Sequence, residues 1–159
     1  MGTVKVNTGA SWCSQKKKFG LGAIIHDSTG SVLASVATLV YASITVAIAK
    51  GWALKRGATL ARQMGFSAVT LESDCLEVIK ALLQQTKFKS ELRHVLNGIS
   101  DVCSSFDNHK FSYTPRSGNQ VAHNLAKIAL AIDYEQTWPT GPTCIATLVA
   151  VDFQHISLS

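Results

Sequence analysis

The sequence predicts an α/β fold: a mixed five-stranded sheet with helices on both faces. Three observations predict it. Residues 3–40 read as three strands joined by two connections, the Gly9–Lys18 loop and the turn-forming tetrad Asp27-Ser28-Thr29-Gly30. The apolar spacing then changes to a helical period near Ala49. Finally, the run AVTLESDCLEVI (Ala68 to Ile79) ends a β-branched strand in two acids, Glu72 and Asp74, and passes at once into a helix pattern. Antiparallel strands followed by alternating helices and strands make a mixed sheet. Acids at a strand end lie at the rim where open α/β sheets bind ligands.

Each element follows from its residues. Thr3–Asn7 alternates as a strand, and Gly9 to Lys18 reads as a polar loop carrying Lys16, Lys17 and Lys18. Phe19–His26 is a second strand, with Gly20 and Gly22 where close packing is needed. Asp27 to Gly30 turns the chain into a third strand, Ser31–Val40. Ala49, Trp52, Ala53, Arg56, Leu60 and Met64 share a helical face, and Gly65 stops that helix. Trp52 reads as a core residue. Ala68–Glu72 is the fourth strand. Asp74–Gln85 is a helix with Leu76, Ile79, Leu82 and Leu83 on one face, capped by Ser73 or Asp74. Leu92 to Phe106 marks a third helix and His109–Thr114 a fifth strand. Val121 to Ile132 marks a last helix, opened by Gly118 and Asn119. A right-handed crossover places strands one and four side by side. Residues 1–134 form the domain, and 135–159 form a C-terminal extension packed on it.

The chain of 159 residues is 47% hydrophobic and only 16% charged, which excludes a disordered chain. The net charge of +5 is compatible with a polyanionic partner. The four cysteines, Cys13, Cys75, Cys103 and Cys144, form no metal-ligand spacing. Cys75 and Cys103 sit in helical patterns and read as small apolar residues, so the expected compartment is reducing and intracellular. Ser28 to Ala49 carries no charge, but its Ser and Thr residues and its strand-like alternation argue against a membrane span.

These motifs resemble the ribonuclease H superfamily, and most closely its plant reverse-transcriptase-like branch, the RNase H type-1 domain of plant retroelement-derived proteins. The matching stretches are KVNTGAS (5–11), GLGAIIHDSTGSVLA (20–34), ALKRGATLARQMGFSAVTLESDCLEVI (53–79) and RSGNQVAHNLAKIAL (116–130). The resemblance implies an RNase H-like sheet and an RNA–DNA hybrid as substrate. It also implies two-metal hydrolysis, in which four acidic positions hold a pair of Mg²⁺ ions that stabilise the attacking and leaving oxygens.

Placed onto this chain, that pattern keeps the fold and loses most of the ligands. The first acid is replaced by Thr8 or deleted. The second falls at Lys50, or at Ile48 if the register slips. The third is retained as Asp74, and the fourth is His123, a residue common at that position in the plant branch. Asp74 is thus either a remaining metal ligand or a helix cap bridged to Lys50, and tight Mg²⁺ binding is not expected. His123 is a remnant catalytic residue or a hydrogen-bonded structural one. Lys16, Lys17, Lys18, Arg116 and Asn119 are the candidates for contact with hybrid or duplex nucleic acid. The alternative is a structural or protein-interaction domain that keeps the RNase H fold without nucleic-acid function.

Overall fold

A computed structural model describes residues 2–84 and 90–139. Six strands form one sheet in the order β5-β4-β1-β2-β3-β6. These are β1 Val4–Cys13, β2 Lys18–His26, β3 Val32–Tyr41, β4 Ala68–Ser73, β5 Asn108–Tyr113 and β6 Gln136–Trp138. Four helices complete the fold: α1 Val46–Gln63, α2 Leu76–Gln84, α3 Ser90–Cys103 and α4 Gln120–Ala129. The sheet is RNase H-like, as the motifs imply. β1, β2 and β3 form an antiparallel meander, and β4 joins β1 in parallel with Asn7 opposite Glu72 and Thr8 opposite Ser73.

Three expectations are corrected. The sheet has a sixth strand, because Gln136–Trp138 pairs antiparallel with Ser35–Ala37. Residues 140–159, the rest of the expected extension, lie outside the described residues. Secondly, the segment from Gly9 is not a loop. β1 runs on to Cys13, since Gly9, Ala10 and Ser11 pair with Gly22, Leu21 and Gly20. Only a 3-10 turn at Ser14–Lys16 and a left-handed Lys17 separate it from β2. The close packing expected at Gly20 and Gly22 of β2 is the approach of a helix. A Cβ on Gly20 would stand 1.8 Å from the Ala126 carbonyl oxygen, and one on Gly22 would stand 2.6 Å from that of Ala122. Thirdly, α2 buries Val78, Ile79, Ala81 and Leu82, while Leu76 and Leu83 face solvent. Its cap differs as well: Ser73 Oγ accepts from Cys75 N–H at 3.1 Å, and Cys75 lies in the turn before the helix.

The larger core lies on the α1 face of the sheet. Val6, Ile25, Val36 and Leu71 meet Leu54, Ala58 and Ala61, and α3 packs outside through Val95, Leu96 and Ile99. α4 covers the opposite face, where Val121 and Leu125 close over Ile24. Trp138 of β6 extends that cluster. Trp52 is half-buried against the α1 core. No helix of the described residues is long and apolar enough to cross a membrane, and Val32–Tyr41 is a strand.

Candidate functional site

The parallel β1–β4 pairing carries Thr8, Ser73 and Asp74 to one rim of the sheet. α1 enters at that rim. Its first turn is capped by Thr45, whose hydroxyl accepts from Ile48 N–H at 3.2 Å. This start places Lys50 in the second turn, with Nζ donating to Asp74 Oδ1 at 2.7 Å. Both side chains are mostly buried, 11% and 7% exposed. Arg116, in the short 3-10 turn Arg116–Gly118 after β5, brings Nε to 3.7 Å from Asp74 Oδ2. Each carboxylate oxygen of Asp74 therefore faces a cation.

A second cluster lies beside the first, on the α4 face. Asn7 Nδ2 donates to Glu72 Oε2 at 2.9 Å and to Asn119 Oδ1 at 3.2 Å. Asn119 Nδ2 donates to the Thr8 carbonyl at 2.8 Å. With its amide spent as a donor, Asn7 presents Oδ1 as an acceptor, and His26 Nε2–H donates to it at 2.8 Å. Glu72 also pairs with Lys5 at 3.3 Å. Asn119 stands at the N-cap of α4 but makes no side-chain cap bond there, because its amide is used across the sheet. Asn7, Glu72 and Asn119 are all buried. The sequence marked Asn119, but not the roles of Asn7, Glu72 and His26. Their signal is the strand alternation that puts Asn7 and Glu72 on one face in register.

Thr8 is fully buried, its hydroxyl donating to the Glu72 carbonyl at 2.9 Å. It faces α1, where its methyl group would lie 2.9 Å from a Cβ on Gly57. Gly9 faces α4, where an added Cβ would come within 3.1 Å of the His123 backbone nitrogen. His123 is half-buried in the first turn of α4. Its imidazole is held below the ordinary value, by burial first, then by Arg116, Lys127 and Lys50, with Asp74 alone opposing. Thr8, Lys50, Asp74, Arg116, Asn119 and His123 thus share one rim. Lys16, Lys17 and Lys18 do not. They sit at the β1–β2 turn, five residues along β1 from Thr8, or about 16 Å at the usual strand rise. Lys16 and Lys17 are exposed, whereas Lys18 Nζ donates to the Leu130 carbonyl at 2.8 Å and closes the C-terminal end of α4.

The donor set does not fit a divalent cation. Mg²⁺ requires several hard oxygen ligands in octahedral array. Both Asp74 oxygens face cations, the Thr8 carbonyl accepts from Asn119, and the Glu72 carboxylate is held by Asn7 and Lys5. Among the described residues no group of three or more His, Cys, Asp or Glu side chains could hold a metal ion. Cys13, Cys75 and Cys103 are free thiols, and burial raises the Cys103 thiol to about 11. Cys144 lies outside the described residues.

The sheet order and the strand-end rim define an α/β domain of the RNase H-like class. Solved structures of that class superpose on most of the chain. The RNase H1 of the halophilic archaeon Halobacterium salinarum NRC-1 matches with a TM-score of 0.76 and 22% identity, covering 82% of this chain and 98% of its own. The N-terminal RNase H domain of Rv2228c from Mycobacterium tuberculosis matches at 0.74 and 21%, over 81% and 94%. LC11-RNase H1, solved in complex with an RNA/DNA hybrid, matches at 0.72 and 19%, over 80% and 96%. No curated protein matches the chain by sequence. The family model for reverse transcriptase-like domains matches residues 7–129, so the chain belongs to the reverse transcriptase-like family.

Proposed function

We propose that this chain is an RNase H-type domain that binds RNA–DNA hybrid or duplex nucleic acid weakly and without sequence preference, and does not cleave it by the two-metal route. The observation that carries the reading is the occupation of Asp74 by Lys50 at 2.7 Å and by Arg116 at 3.7 Å. A two-metal site needs several uncommitted carboxylates around two cations. Here one carboxylate is neutralised by side chains, and an ammonium stands beside it. The family assignment and the hybrid-bound relative support nucleic acid as the partner. Recognition would rest on backbone and shape, which need cations and hydrogen-bond donors rather than base contacts. Plant retroelement origin and an intracellular compartment fit the motifs and belong to the same proposal.

An end-labelled RNA–DNA hybrid tests it in two measurements. With Mg²⁺ present, the RNA strand should stay intact at protein concentrations where an intact ribonuclease H degrades it. Hybrid binding should be in the micromolar range at low salt and fall steeply as salt rises, as counterion release requires. Cleavage that Asp74→Asn abolishes would restore the family activity to this chain. Absence of binding at low salt would leave the structural or protein-interaction reading.

A further inference from the structure

The rim carries its own cations, and their arrangement points to a ligand. Lys50 and Arg116 bring two positive charges to one carboxylate, so this corner holds a net charge of one positive unit. Lys50 has one N–H committed to Asp74 and two further donors. The Arg116 side chain is 64% exposed. Asp74 positions both groups: the ammonium has little freedom to leave the rim, so little entropy remains to be lost when a ligand arrives. Lys127 lies one helical turn beyond His123 on the same side of α4 and is exposed. The field is positive along this line, since Arg116, Lys127 and Lys50 all disfavour the His123 imidazolium. α4 starts at this end, and helix N-termini favour anions. Further along the same direction, past the C-terminal end of α4, stand the exposed Lys16 and Lys17.

We infer that Lys50 and Arg116, held by Asp74, form a metal-free anchor for a backbone phosphate, and that Lys127 extends it into a phosphate track along α4. This rests on the nucleic-acid reading above and adds to it the anchor residues and independence from divalent metal. A carboxylate-rich site repels phosphate until a metal neutralises it. This corner is already cationic, so a divalent ion should add nothing to binding.

The experiment is fluorescence anisotropy with a labelled RNA–DNA hybrid, titrated against the full chain at constant ionic strength, once with EDTA and once with Mg²⁺. The affinity should agree within about twofold between the two. Arg116→Gln and Lys127→Gln change exposed residues and leave the fold intact; each should weaken binding and lower the salt slope by about one. Lys50→Gln should weaken binding about tenfold, and circular dichroism checks that the variant is folded. The matched control, Arg62→Gln at the far end of α1, should bind as the parent chain does. Lys50→Glu is a second readout: the reversed charge should abolish binding in EDTA, and undiminished binding would overturn the anchor. If the parent chain binds only with Mg²⁺, or if Lys50, Arg116 and Lys127 can all be replaced without loss, the anchor is wrong while the nucleic-acid reading stands. If the parent chain binds no hybrid at low salt under either condition, both fall.

Discussion

Two polar clusters stand side by side at the same rim and are built on different principles. On the α4 face, Asn7, Glu72, Asn119 and His26 form a buried network in which amide donors and acceptors pair with one another. Beyond the end of β4, Lys50, Asp74 and Arg116 form an ion cluster that opens to solvent through Arg116. The first ties β1, β2, β4 and α4 together and presents little to the outside. The second makes fewer bonds and displays charge. A buried hydrogen-bond network rewards complete satisfaction, because any orphaned group pays its full desolvation cost. An ion cluster at a rim tolerates spare donors, because water or a ligand satisfies them. A closed hydrogen-bond network and an open ion cluster thus begin at neighbours two residues apart in sequence, Glu72 and Asp74.

The largest effect is expected from Gly20→Val, which strikes the α4-face cluster. Its side chain would collide with the Ala126 carbonyl and lift α4, which carries Asn119 and His123, from the sheet. A loss above roughly 3 kcal/mol in urea denaturation is expected, at the high end for overpacking because the obstacle is backbone. Lys50→Met comes next. It leaves a nearly buried Asp74 with only the distant Arg116, and about 3 kcal/mol should be lost. Replacing Arg116 with Gln should cost well under 1 kcal/mol, since its side chain is largely solvated. A large stability loss in Arg116→Gln would contradict the division between the clusters.

Asn119→Ala tests the other side. It orphans the Thr8 carbonyl and one partner of Asn7, and about 2 kcal/mol should be lost. Hybrid binding by the folded protein should be unchanged, whereas Arg116→Gln should weaken binding with little loss of stability.

The smallest effect is the pH dependence that His123 contributes. Its folded-state value is depressed, so the native protein resists a proton that the unfolded chain accepts near pH 6.5. Stability from this group is therefore fully present at alkaline pH. It falls as pH drops through the ordinary imidazole range, until the folded value is reached. Denaturation midpoints from pH 8 to pH 5 should decline less in His123→Gln than in the parent chain. An identical decline would show that the depression has no consequence for folding.

The sequence by itself determined the class of fold and the order of its elements. Alternation in Phe19–His26, the Asp27–Gly30 turn, the helical period from Ala49 and the strand-to-helix passage at Glu72–Leu76 are signals contained in short windows. Backbone preference and one-sided burial write them there. The sequence also marked Asp74 through a local motif, whereas Lys50 was reached only through the family resemblance, with Ile48 as the alternative register. Tertiary structure alone decided the rest. The crossover rule already set strand one beside strand four, but the hydrogen bonds that join Asn7 to Glu72 and Asn119, 65 and 112 residues away, depend on the register of β1 with β4 and on the docking of α4. The same holds for Lys18, one of three adjacent lysines in the sequence, which caps α4 through Leu130 while its neighbours stay in solvent. β6 was hidden for a related reason. Three residues carry too little alternation to mark a strand, and Gln136–Trp138 becomes one by pairing with β3. Glu135 beside it is fastened to Arg56 and Thr38. Periodicity records which way a side chain faces, whereas its partner is set by where the rest of the chain has folded.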